Sequence, residues 1–91
     1  MQSVRVVIPP FSFEVGGARV DVLEIIRTRL IDGTEKFHAA VRIVYKGIAS
    51  RIFTLDVKDA DELVNKATAE VNKIKWCEYV YGLEEVRRLI T

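Results

Sequence analysis

The chain is poor in the side chains that carry covalent and metal chemistry. It has one cysteine, Cys77, and one histidine, His38. No disulfide can therefore close within it, which favours a reducing compartment. A zinc-type cluster lacks its ligands, and a Cys/His nucleophile has its two parts far apart, one on a strand and one beyond a helix. No glycine-rich loop joins a strand to a helix to cradle phosphates, because Gly16-Gly17 lies between two β-rich runs. Helix-turn-helix, zinc-finger and aromatic RNA-recognition signatures are missing too. The apolar run in MQSVRVVIPP, residues 1–10, is too short for a signal or membrane-spanning segment. These gaps point away from an enzyme, a cofactor or a metal, and toward a cytoplasmic binding protein with no membrane partner.

What is present is the material of one compact domain. Of 91 residues, 49% are hydrophobic and 30% charged, with no repeat, linker or low-complexity stretch, so residues 1–91 are expected to form a single domain. A chain this short buries only about 60% of its unfolded surface, a size at which oligomerisation often adds stability. The formal charge of +1 excludes a general polyanion coat but allows a local basic patch. Thrift with Asn, Gln, Cys and Met beside many charges resembles thermophile composition.

Glycine punctuates the first half. Gly16-Gly17, Asp32-Gly33 and Lys46-Gly47 each separate β-branched runs, which predicts successive hairpins. A two-residue loop at Gly16-Gly17 sets Val15 opposite Ala18 and Phe11 opposite Val22. One at Asp32-Gly33 sets Ile31 opposite Thr34, Ile26 opposite Ala39 and Leu23 opposite Arg42. A two-residue loop at Lys46-Gly47 would oppose Arg42 to Arg51, and like charges opposite each other are destabilising. A three-residue loop, Tyr45-Lys46-Gly47, is therefore expected, placing the two arginines on opposite faces. The run SVRVVI, residues 3–8, is left open as an edge strand or an arm to a neighbour.

DADELVNKATAEVNKIK predicts an amphipathic helix capped by Asp59, with Ala60, Leu63, Val64, Ala67, Val71 and Ile74 on the face toward the sheet. WCEYVYG, residues 76–82, is taken as a connector, and LEEVRRLI as a short second helix. The fold class expected is α+β: a four- or five-stranded antiparallel β-meander with one long helix packed on one face and a short C-terminal helix.

In this register one face holds Phe11, Phe13, Val15, Val20, Val22, Ile26, Phe37, Ala39, Val41, Ile43, Phe53 and Leu55 as the core, with Glu24 and Arg51 flanking Val41 as a possible pair. The other face is less ordinary. Leu23, Ile25, Ala40, Val44, Ile48 and Ile52 form an apolar floor, edged by Arg27, Arg29, Lys36 and Arg42, with His38 beside Arg27. A sizeable apolar patch marks an interface or a groove. One reading is a single-strand nucleic-acid channel, with cations along phosphates and the floor under bases. Tyr79 and Tyr81 either stack bases at its edge or cap the core. The other reading is a homodimerising protein-interaction module whose apolar sheet face is a subunit interface, with no nucleic acid.

The strand carrying IIRTRL, the strand FHAAVRIVYKG and the run RIFTLDVKDADELVNK resemble, in arrangement over roughly residues 11–75, the ThermoDBP-related proteins of hyperthermophilic archaea. The resemblance implies an oligomer, a dimer or dimer of dimers, that binds single-stranded nucleic acid, DNA or RNA, without sequence preference. Arg27, Arg29 and Arg42 are then among the contacts. The long zipper-like C-terminal helix of part of that group is replaced here by LEEVRRLI.

Overall fold

The turns set the sheet. In the computed structural model, which describes residues 2–6 as backbone and 10–91 in full, Phe11–Val15 (β2) and Ala18–Arg29 (β3) meet around Gly16-Gly17 with Val15 opposite Ala18 and Phe11 opposite Val22, as expected. Glu35–Tyr45 (β4) pairs with β3, and Phe53–Val57 (β6) pairs with β4. Gln2–Val6 (β1) pairs antiparallel with the second half of β3, Val6 opposite Ile25, so the early run is an edge strand. The last two residues of that run, 7 and 8, and residue 9 after it fall outside the described ones. The two-residue segment Ile48–Ala49 (β5) continues the far edge beside β6. Two long central strands thus carry two short ones along each flank.

The β3–β4 register departs from expectation. The connection is a five-residue turn over 30–34 instead of a two-residue loop: Gly33 N donates to Leu30 O at 3.0 Å and Leu30 N to Thr34 O at 2.8 Å. The Asp32 carboxylate accepts from Thr34 N at 2.9 Å, a local bond that stabilises the wider turn. Arg29 then opposes Glu35 and Ile25 opposes Ala39, one residue off the expected pairing. A bulge between Val22 and Glu24, holding Leu23, adds a second slip, so Asp21 opposes Arg42. Two slips cancel for residues 18–22, which keep their expected faces. One slip remains for residues 24–29, and every side chain there changes face.

The next turn is also corrected. Tyr45 opposes Ile48, so the loop is the two residues Lys46-Gly47, both with positive φ (49° and 80°), the twist a tight hairpin needs. The Arg42 to Arg51 clash is avoided in another way. The strand breaks after Ala49: Ser50 Oγ accepts from Ile43 N at 2.9 Å and donates to Arg51 O at 2.8 Å, and pairing resumes with Phe53 opposite Val41. Phe53, Leu55 and Val57 therefore share a face with Val41, Ala39 and Phe37, the expected outcome reached by a different route.

The helix Ala60–Tyr81 (α1) starts where Asp59 Oδ1 accepts from Glu62 N at 2.8 Å and Glu62 Oε1 accepts from Lys58 N at 3.2 Å. Leu63, Ala67, Val71 and Ile74 are buried against Val20, Val22, Val41, Ile43 and Leu55, each larger side chain contributing roughly 1.5–3 kcal/mol relative to exposure. Ala60 is exposed and Val64 stays 43% exposed, so neither belongs to the core. There is no connector over 76–82: α1 runs unbroken to Tyr81, because nothing in WCEYVY breaks a helix before Gly82. Leu83–Ile90 (α2) turns back along α1, buries Val86 and Ile90, and accepts a bond from Arg51 N to Ile90 O at 2.8 Å where the edge strand is broken. The protein is α+β, with an antiparallel sheet, a long helix on one face and a short C-terminal helix.

Candidate interaction site

The retained slip in β3 divides the channel inferred from sequence. Ile25 and Arg27 oppose Ala39 and Phe37 on the helix-side face, and Ile25 packs against the core. Arg29, on that same face, gives Nη2 to Glu35 Oε1 at 2.8 Å. Lys36, His38 and Arg42 lie on the opposite, outer face, paired with Thr28, Ile26 and Asp21. Leu23 is half-buried in the bulge, and Ile52 sits in the strand break, 59% exposed. These eight residues therefore do not line one groove. Glu24 and Arg51 do not meet across Val41 either: Glu24 opposes Ala40 on the outer face, and Arg51 Nη1 donates to Leu89 O at 3.4 Å.

Carboxylates partner most of the cations that remain on the outer face. Asp21, buried between strands, accepts from Ser12 at 2.6 Å, from Arg19 at 2.9 Å and from Arg42 at 3.1 Å. The Ser12 and Arg19 bonds, with Arg42 behind them, lower its pKa to about 2. His38 Nδ1 lies 2.6 Å from Asp56 Oδ1, and that bond holds the Asp56 carboxyl below its usual range. By register, Arg19, Lys36, Arg42 and His38 share this face with Glu14, Asp21, Glu24 and Asp56 among the described residues. Among the residues described in full, this face has no surplus of positive charge to follow a phosphate backbone.

The conspicuous surface is elsewhere, on the stretch of α1 assigned from sequence to a connector. Tyr45 Oη, at the end of β4, donates to Glu78 Oε1 at 2.6 Å, and Lys46 Nζ donates to Glu78 Oε2 at 2.7 Å. Lys46 first and Tyr45 second keep the Glu78 carboxyl below its ordinary value, while the carboxylate and then burial push the Tyr45 phenol up. This clasp fixes the helix end with its aromatics outward. Trp76 is 65% exposed, Tyr79 82% and Tyr81 73%, with Val80 also open to solvent. The core-capping reading of Tyr79 and Tyr81 is thereby overturned.

Trp76 and Tyr79 stand edge to face, ring centroids 5.8 Å apart. They border an open groove of about 510 Å³ with Tyr45, Asn72, Lys75 and Glu78. Residues i, i+3 and i+4 share a helix face, so Trp76, Tyr79 and Val80 form one ledge. Trp76 is the site residue that sequence reasoning left out. Its signal was available: from Asp59 to Gly82 no glycine or proline interrupts the run.

No family model, curated protein or solved structure matches the chain. Among the described residues no three His, Cys, Asp or Glu side chains converge as a metal site, and no helix is long and apolar enough to cross a membrane.

Proposed function

We propose that this chain is a protein-interaction module that binds through the outward side of α1. The observation that carries the reading is the ledge of Trp76, Tyr79 and Val80 held in solvent by the Tyr45–Glu78–Lys46 clasp. Tryptophan and tyrosine dominate binding hot spots, since each supplies large contact area at small cost in side-chain entropy. Free in water, these three side chains expose on the order of 400 Å² of largely apolar surface, at the size where a patch marks an interface. The sheet face considered from sequence is a weaker interface, because its apolar residues alternate with paired charges in the manner of an ordinary solvated sheet.

Binding of single-stranded nucleic acid is kept as a second reading for one reason. Trp76 and Tyr79 offer exposed rings beside Lys75, with Tyr81 exposed at the same end of the helix, and bases stack on such rings in single strands. The resemblance noted above supports it too.

Trp76 is the only tryptophan, so its emission reports on the ledge directly. The expected result is emission that shifts to the blue with rising protein concentration or with added protein partner, and is unmoved by a 20-nucleotide single strand at low salt. Quenching by the strand, reversed by salt, would replace the protein reading with the nucleic-acid one. Emission indifferent to both would remove the ledge as a site.

A further inference from the structure

Resting on that reading, we infer that the partner of α1 is a second copy of this chain, docked antiparallel about a two-fold axis at Asn72. Opposite the buried stripe, α1 carries Asn65, Ala69, Asn72, Trp76 and Tyr79 at intervals of four, three, four and three residues. That is the spacing of a helix-pairing seam. All five are exposed, and none is charged, although charged residues flank them on both sides. The two asparagines of the whole chain both stand in this seam, seven residues apart.

The order of sizes within the seam selects the partner. Its first half is small, Asn65 and Ala69, and its second half is large, Trp76 and Tyr79. A parallel pair would set small against small and large against large. An antiparallel pair centred on Asn72 sets Trp76 of each copy over Ala69 of the other, and Tyr79 over Asn65. Each large ring then meets a shallow site on the opposite helix. Asn72 meets its own copy at the axis, where a carboxamide is complementary to itself, being donor and acceptor at once. A polar residue at one seam position is also how paired helices fix their register.

Two-fold contacts of this kind are isologous, so one chain supplies both halves of the interface. The ledge contributes roughly half of the 800 Å² per partner that a standard interface buries, and the Asn and Ala half of the seam, with its flanks, extends it. The site faces away from the sheet, and α2 lies beside it against α1 without covering Trp76 or Tyr79, so the folded chain presents it directly.

Sedimentation equilibrium on the full chain tests the inference. A dimer is expected, with Ala69→Glu and Trp76→Ala each raising its dissociation constant at least about tenfold, while circular dichroism is retained because both side chains lie outside the core. Orientation is read by mild oxidation in a Cys77→Ser background. Asn72→Cys should cross-link to itself, whereas Asn65→Cys should not, since its two copies would stand about 20 Å apart along the pair. Cross-linking of Asn65→Cys to itself, or a dimer unaffected by both Ala69→Glu and Trp76→Ala, would overturn the inference. A chain that stays monomeric at millimolar concentration would overturn it as well. The interaction reading fails by a different sign, the salt-reversible quenching of Trp76 by a single strand.

Discussion

Tyr45 and Glu78 are joined across the end of the sheet by a 2.6 Å hydrogen bond from phenol to carboxylate, and this bond places the aromatic end of α1. Tyr45 is buried, so its hydroxyl depends on that one acceptor. Glu78→Ala should cost about 1–3 kcal/mol, the penalty of stranding a buried donor, measured by urea unfolding. In Glu78→Gln the Tyr45 phenol should titrate at lower pH than in the parent, because the neighbouring negative charge is gone; NMR pH titration of the Tyr45 ring reads this. An unchanged titration would show that the clasp does not form in solution.

Asp21 makes stability depend on acid. Its folded pKa of about 2 lies below the ordinary carboxylate value, so the ionised form is stabilised by folding. The contribution is complete above the unfolded pKa, near 4, and is lost as pH falls through the folded value. Melting temperature should therefore stay level down to about pH 5 and drop between roughly 4 and 2. Asp21→Asn should lower it at neutral pH and flatten the acid decline. Arg42→Glu should also destabilise, since it sets a carboxylate against Asp21 in place of a guanidinium.

Ser50 substitutes for backbone at the strand break. Ser50→Ala removes the acceptor of the buried Ile43 N–H and should cost about 1–3 kcal/mol. Hydrogen exchange at the Ile43 amide should accelerate more than at Val41, two residues along the same strand. Uniform acceleration across β4 would mean that Ser50 acts only through global stability.

Gly82 joins the helices with φ 93° and ψ 171°, a region close to exclusive to glycine. Gly82→Ala should cost about 1–3 kcal/mol and loosen α2. The amide of Arg51, which donates to Ile90 O, should then exchange faster while the amides of β3 keep their protection. Equal protection at Arg51 in both proteins would show that α2 docks independently of the junction.

Local chemistry in the sequence determines the α+β class, the tight hairpin at Gly16-Gly17, the Asp59 cap and the inward stripe of Leu63, Ala67, Val71 and Ile74. Each follows from periodicity or turn preference within a few residues. The register of β3 against β4 does not. It rests on an Asp32 side-chain bond that widens one turn and on a bulge at Leu23 that no local pattern marks, and a one-residue slip inverts a face. Arg27 and Arg42 were thus legible as cations but not as residues on opposite sides of the sheet. The helical state of residues 76–81 is compatible with their sequence, and the clasp from Tyr45 and Lys46, more than thirty residues away in the chain, ties the end of α1 that carries Trp76 and Tyr79 to the sheet. Contacts distant in sequence decide which side chains are covered, and the choice of surface available for binding belongs to the tertiary structure.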